Sequence, residues 1–117
     1  MKRKDMQPCA IPIQQALEVI NGKWSYFVIA QLCVRSQRFN QLRRSIGDIS
    51  IKSLTDTLRH LERIDVVHRE VYPTVPVSVE YSLTQKGREY GAILVQMRNW
   101  GEKWGVAGFD QDELGIR

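Results

Sequence analysis

No apolar run in this 117-residue chain approaches the ~18–20 residues that a membrane-crossing helix needs. A membrane partner is therefore not expected. Cysteine is scarce: Cys9 and Cys33 cannot build a disulfide framework, and a low count suits a reducing cytoplasm. The first nine residues, MKRKDMQPC, carry charge with no apolar segment behind them, so a secretion signal is not expected. There are only two histidines, His60 and His68, and neither has a CxxC, HxxxH or paired-carboxylate companion. No metal site is expected from them. No glycine-rich phosphate loop follows a strand, and no Ser, Cys or Thr sits in a nucleophile motif. Catalysis and bound cofactors are accordingly not expected. Asp56 and Glu62 read as partners of Arg59, Arg63 or neighbouring helices rather than as an acid–base pair.

Apolar residues make up 43% of the chain, enough for one globular domain with one core. The net charge is +4 and unevenly placed. Residues 110–117 hold three acids and one base, so residues 1–109 carry +6. A positive body suits a polyanionic partner, because phosphate contacts supply most non-specific affinity for DNA.

The most informative stretch is 50–63, SIKSLTDTLRHLER. Ile51, Leu54, Leu58 and Leu61 recur at steps of three and four, so they share one side of a helix. Lys52, Ser53, Asp56, Arg59, His60 and Arg63 occupy the other. Ser50 stands where an N-cap belongs. Alone, such a segment reads as an ordinary surface helix with a solvated face. Its flanks change that reading.

Residues 12–20 predict a short helix with Pro12 in its first turn and Ile13, Ala16, Leu17 and Ile20 inward. Asn21-Gly22 stops it. Residues 24–33 are apolar nearly all round and predict a central buried helix, with Cys33 as a small core residue. A loop at 34–37 leads to a third helix over 38–45, with Phe39, Leu42 and Ile46 inward and Arg43 and Arg44 outward. Gly47-Asp48 turns the chain into the 50–63 helix, giving a helix-turn-helix. Residues 66–83 then alternate as two strands around the proline-bearing tip 73–78. A hairpin directly after a helix-turn-helix defines a winged helix. Thr84 caps a last helix over 85–105, on which Tyr90, Ile93, Leu94, Met97, Trp100 and Trp104 share one broad face. That surface exceeds what a small core needs. A subunit interface, with two-fold symmetry, is the expected use.

The expected fold is thus mainly α with a small β-hairpin. Residues 1–11 form a flexible arm, residues 12–106 the winged-helix domain with its dimerisation helix, and residues 107–117 an acidic tail. Lys2, Arg3 and Lys4 in the arm are a solvated terminus or reach a phosphate.

In order and spacing, Gly22-Lys23-Trp24, Arg38-Phe39-Asn40-Gln41-Leu42-Arg43-Arg44, Ile49-Ser50, Leu54-Thr55, Leu58 and Leu61-Glu62 resemble the HxlR-type bacterial regulators, relatives of the MarR type. So do Val71-Tyr72-Pro73, Val75-Pro76, Val79-Glu80-Tyr81-Ser82-Leu83-Thr84 and Gly87-Arg88. The resemblance spans nearly all of residues 11–104. It implies a non-enzymatic cytoplasmic homodimer, joined through its terminal helices and binding inverted-repeat operators. On that basis Arg43, Arg44, Arg69 and Ser78 would hold DNA phosphates, and Ser50, Lys52, Ser53, Asp56, Arg59 and His60 would read bases and backbone. Ile13, Leu17, Tyr90, Leu94, Met97, Trp100 and Trp104 would meet the second copy.

Two departures from the family stand out. Many members place Cys before Pro ahead of the first helix, and some use it as a thiol sensor. Counted back from Gly-Lys-Trp, that place holds Ile11, and Cys9 lies two residues earlier. Cys9 is the candidate redox thiol, although an inert exposed cysteine is the plainer reading. At the wing, Ser78 stands where members often carry Arg or Lys, which removes a charge-assisted contact. Alternatives of another class are a protein-interaction module and a sensor whose small-molecule effector lodges among Trp24, Tyr90, Trp100 and Trp104.

Overall fold

A computed structural model of the chain describes residues 10–105. Lys2, Arg3, Lys4, Cys9 and the acidic tail lie outside the described residues. Five helices and three short strands follow in the order α1 (Ala10–Val19), α2 (Ser25–Val34), β1 (Gln37–Arg38), α3 (Phe39–Ile46), α4 (Ile51–Arg63), β2 (Val67–Tyr72), β3 (Ser78–Leu83) and α5 (Gln85–Trp104). The sheet is antiparallel in the order β1-β3-β2. The architecture is a winged helix: a mostly helical body carrying a small sheet and its hairpin.

The core forms where apolar stripes converge. α2 contributes Val28, Ile29 and Leu32, α3 contributes Leu42, and α4 contributes Leu54, Leu58 and Leu61. Val66, Val67, Leu83, Tyr90 and Val19 close it. Burial of each large aliphatic side chain stabilises the fold by about 1.5–3 kcal/mol. Ser50 and Thr84 cap α4 and α5 as their positions predict, accepting from the Ser53 and Gly87 amides at 3.0 Å each. Asp65 sits in the left-handed region at φ 64° between α4 and β2, a conformation that Asp tolerates better than bulkier residues.

Several expectations are corrected. The sheet has a third strand, β1, in the stretch read partly as a loop; two residues are too few to show alternation. Gln37 in that strand is buried, donates to the Gln31 carbonyl at 3.0 Å and accepts from the Ser45 hydroxyl at 3.4 Å. Ala10 and Ile11, assigned to the arm, are helical. On α1 the inward residues are Ala16 and Val19, followed by Ile20, whereas Ile13 and Leu17 are exposed. Periodicity locates two adjacent stripes on such a helix and cannot say which one turns inward. Ile51 is 58% exposed because it opens α4, and the buried stripe starts one turn later at Leu54. Cys33 is exposed in the last turn of α2, beside Gly91 of α5, rather than in the core.

Gly87 matters for how α5 is seated. A side chain there would collide with the Val66 carbonyl, so the start of α5 rests directly on the backbone between α4 and β2. That carbonyl also accepts from the Thr84 amide at 3.1 Å. This close approach fixes α5 and orients the hairpin beside α4.

Candidate nucleic-acid interface

α3, the turn through Gly47 (φ 100°) and α4 form the helix-turn-helix. α4 is 13 residues long, or about 20 Å, and three of its leucines are buried. Lys52, Asp56, Arg59 and Arg63 recur along the opposite ridge, all exposed, with Ser53, Thr55 and Thr57 half-buried at its flanks. A helix of this width fits a major groove about 12 Å across.

The ridge is partly self-paired. Lys52 Nζ donates to Asp56 Oδ2 at 2.7 Å. This hydrogen bond, helped by the charges of Lys52 and Arg59, holds the Asp56 carboxyl below the usual carboxylate range. Arg59 and Arg63 have no ion-pair partner among the described residues, so they are the uncommitted cations of α4. Ser50 and Ser53 are engaged at the cap.

His60 stands apart from the ridge. It is half-buried, and its Nε2–H donates to the Glu18 carbonyl at 3.1 Å, since a carbonyl only accepts. It therefore belongs to the contact between α4 and α1.

Basic side chains flank α4 on both sides. On α3, Arg43 Nε donates to the Ile49 carbonyl at 3.1 Å and braces the turn, while Arg44 is exposed. With Asn40 and Gly47 they line a shallow cleft of about 380 Å³. Toward the hairpin, Arg69 of β2 and Arg59 of α4 line a second cleft of about 380 Å³ with Thr55, Glu62 and Tyr81. Arg69 thus lies beside α4, away from the wing tip.

The wing itself is uncharged at its tip. Val75 is fully exposed and Val77 mostly so; Thr74 ties the loop by donating its hydroxyl to the Pro76 carbonyl at 2.7 Å. Ser78 opens β3 opposite Tyr72. The outer face of the hairpin is acidic. Glu70 stands opposite Glu80, His68 Nε2 lies 2.7 Å from Glu70 Oε1, and the carboxylates, Glu80 foremost, push the Tyr72 phenol up.

The residues expected to meet a second copy divide. Ile13, Leu17, Met97, Trp100 and Trp104 are exposed, joined by Ile11, Ile93 and Val95. Tyr90 instead belongs to the chain's own core and donates its hydroxyl to the Ala16 carbonyl at 2.7 Å; Leu94 packs against that core. The four aromatics expected around an effector are also separated. Trp24 packs on Phe27, Tyr90 is in the core, and Trp100 and Trp104 are exposed on α5. Sequence reasoning missed Lys23 and Ser25, which meet the flank of α4 across a small cleft. They lie about thirty residues before α4, and no local pattern signals that approach. Among the described residues no group of three or more His, Cys, Asp or Glu is placed to hold a metal, and no helix is long and apolar enough to cross a membrane.

A helix-turn-helix with a solvent-facing cationic second helix and an adjoining hairpin is the mark of a winged-helix transcriptional regulator. The chain belongs to the HxlR-like helix-turn-helix family, whose model matches residues 19–108. It is 42% identical over 100 residues to the HTH-type transcriptional regulator YdeP of Bacillus subtilis (strain 168), across 86% of this chain and 77% of that one. YybR of the same organism is 45% identical over 91 residues, across 78% and 73%. Among solved structures, the redox regulator HypR in its oxidized form superposes with a TM-score of 0.73 at 44% identity, covering 79% of this chain and 95% of that one. The transcriptional regulator YodB of B. subtilis in its reduced form superposes at 0.76 with 31% identity, covering 89% and 99%.

Proposed function

We propose that this chain is a sequence-specific DNA-binding regulator that acts as a cytoplasmic homodimer on an inverted-repeat operator and represses by blocking polymerase. The observation that carries this reading is the exposed ridge of α4. Three buried leucines hold it in place, Arg59 and Arg63 on it are uncommitted, and Arg44 and Arg69 flank it. Arg44, Arg69 and the braced Arg43 grip phosphates and set register; Lys52, Ser53, Asp56 and Arg59 read bases. Ser50 and Ser78 add hydroxyl contacts to the backbone.

The exposed apolar side chains of α1 and α5 support dimerisation, since Trp and Met are enriched in interface cores. A two-fold dimer presents its two copies of α4 to half-sites about 34–36 Å apart. A second reading adds a thiol response, favoured by the likeness to a redox regulator. Cys9 is the candidate thiol of this reading; partial burial beside α5 pushes the exposed Cys33 thiol up, away from the reactive thiolate.

The test is fluorescence anisotropy on a duplex selected by this chain, repeated over a range of salt. Affinity should fall steeply with salt, and Arg59→Ala should weaken binding by about 1–3 kcal/mol and relax specificity at one base position. Unchanged affinity would remove Arg59 from the reading set. Salt-independent binding would favour a protein-interaction module instead.

A further inference from the structure

The turn between α1 and α2 leads into a cleft of about 250 Å³ beside the reading helix. Lys23, Trp24 and Ser25 line one wall, and Ser53, Thr57 and His60 of α4 line the other, with Asp56 among them. The α4 wall is already occupied with its own bonds. Thr57 donates to the Ser53 carbonyl at 2.7 Å, and His60 donates to Glu18. The α2 wall is not.

α2 begins without a cap. Trp24 at its N-cap position provides no side-chain acceptor, and helical bonding starts only with the Val28 amide to the Trp24 carbonyl at 3.2 Å. The amides of Ser25, Tyr26 and Phe27 therefore have no acceptor among the described residues. These groups form the positive end of a ten-residue helix. Ser25 adds an independent observation. It is only 3% exposed, lines the cleft, and its hydroxyl has no hydrogen-bond partner among the described residues. No side-chain oxygen or nitrogen among the described residues is both fully buried and without a partner, so the Ser25 hydroxyl opens into the cleft, where a ligand can reach it. Lys23 is exposed, with its ammonium 4.9 Å from the Trp24 ring centre and no carboxylate partner among the described residues.

Backbone amides, a hydroxyl and an ammonium converging at a helix N-terminus are the donor set for a tetrahedral oxyanion. Asp56 is the opposing charge, and Lys52 at 2.7 Å offsets it. We propose that the N-terminus of α2, with Lys23 and Ser25, is a phosphate-binding site. Its phosphate comes from the backbone of the duplex that α4 reads, a source that rests on the DNA-binding function above. A free phosphorylated small molecule offers the same chemistry, and the experiment separates the two.

The full-length chain is titrated with inorganic phosphate while its backbone amides are followed by NMR, and separately with its selected duplex at several salt concentrations. The Ser25, Tyr26 and Phe27 amides should shift saturably with phosphate, and Lys23→Gln or Ser25→Ala should weaken that response. On DNA, Lys23→Gln should lower affinity to about the same extent on every duplex and reduce the salt slope by about one, near the ~0.9 expected per phosphate. Arg35→Gln, about 15 Å away at the far end of α2, should leave the slope unchanged. Amide shifts with an unchanged slope would overturn the DNA source and assign the site to a free phosphorylated ligand. Absence of shifts together with an unchanged slope would overturn the proposal even if the chain binds DNA. A chain that shows the shifts and binds no duplex would sink the DNA-binding function and leave the phosphate site standing.

Discussion

His60 of α4 and Glu18 of α1, 42 residues apart in sequence, are joined by a hydrogen bond of 3.1 Å from the imidazole Nε2–H to the carbonyl. The bond ties α4, with its exposed cationic ridge, to α1, whose outer face carries the exposed Ile13 and Leu17. It also takes His60 out of the exposed ridge. His60→Ala should therefore loosen α1 at a cost of about 1 kcal/mol, the net worth of one such bond. Hydrogen exchange should speed up at the α1 amides, while the salt slope of DNA binding stays as it was. A changed slope with undisturbed α1 exchange would return His60 to the DNA face.

Tyr90 of α5 holds the same helix, α1, from a second element. Its hydroxyl donates to the Ala16 carbonyl at 2.7 Å across 74 positions of sequence. Tyr90→Phe should lower stability by about 0.5–1.5 kcal/mol at neutral pH. Burial raises the phenol above its ordinary value of 10.0, so the folded state favours the neutral form. That contribution is present below pH 10 and is lost as pH rises through the folded value, because the unfolded chain ionises first. Chemical denaturation from pH 7 to 11 should thus show the gap between wild type and Tyr90→Phe closing above pH 10. A gap constant with pH would contradict the assignment.

Gly87 is the position at which α5 tolerates nothing larger. An added methyl group meets the Val66 carbonyl, which is backbone and cannot swing aside. Gly87→Ala should cost about 1–3 kcal/mol as an overpacked contact, despite the better helix propensity of alanine. Thermal denaturation would measure it; a neutral or stabilised variant would show that α5 is not seated as described. Gly101, whose added methyl group meets nothing nearby, provides the comparison.

Much of this architecture is legible in the residues. The steps between Leu54, Leu58 and Leu61 gave the buried stripe of α4, and Ser50 and Thr84 marked the helix starts. Other features depend on partners far away in sequence. β1 exists because Gln37 and Arg38 pair with Tyr81 and Glu80, and two residues carry no period of their own. Cys33 lies on an apolar helix yet faces outward, because α5 approaches it with Gly91 and leaves the thiol at the rim. Tyr90 shares a stripe with Trp100 and Trp104, but only its half of α5 touches the core. Within the site, the ridge of α4 was readable from its period. Asp56 pairs with Lys52, one turn earlier at i and i+4, rather than with Arg59, Arg63 or a neighbouring helix as its sequence neighbours suggest. The approach of Arg69 and Lys23 to opposite flanks of α4 follows only from the folded chain.

Selection of duplexes from a random pool by the full-length chain tests the central claim most directly. Enrichment of an inverted repeat whose half-site centres lie about 10–10.5 base pairs, or a small multiple of that, apart is the predicted result, with Arg59→Ala losing the enrichment at one symmetric pair of positions. A pool that stays random, or a selected site that Arg59→Ala binds with unchanged preference, would contradict a reading of DNA by α4.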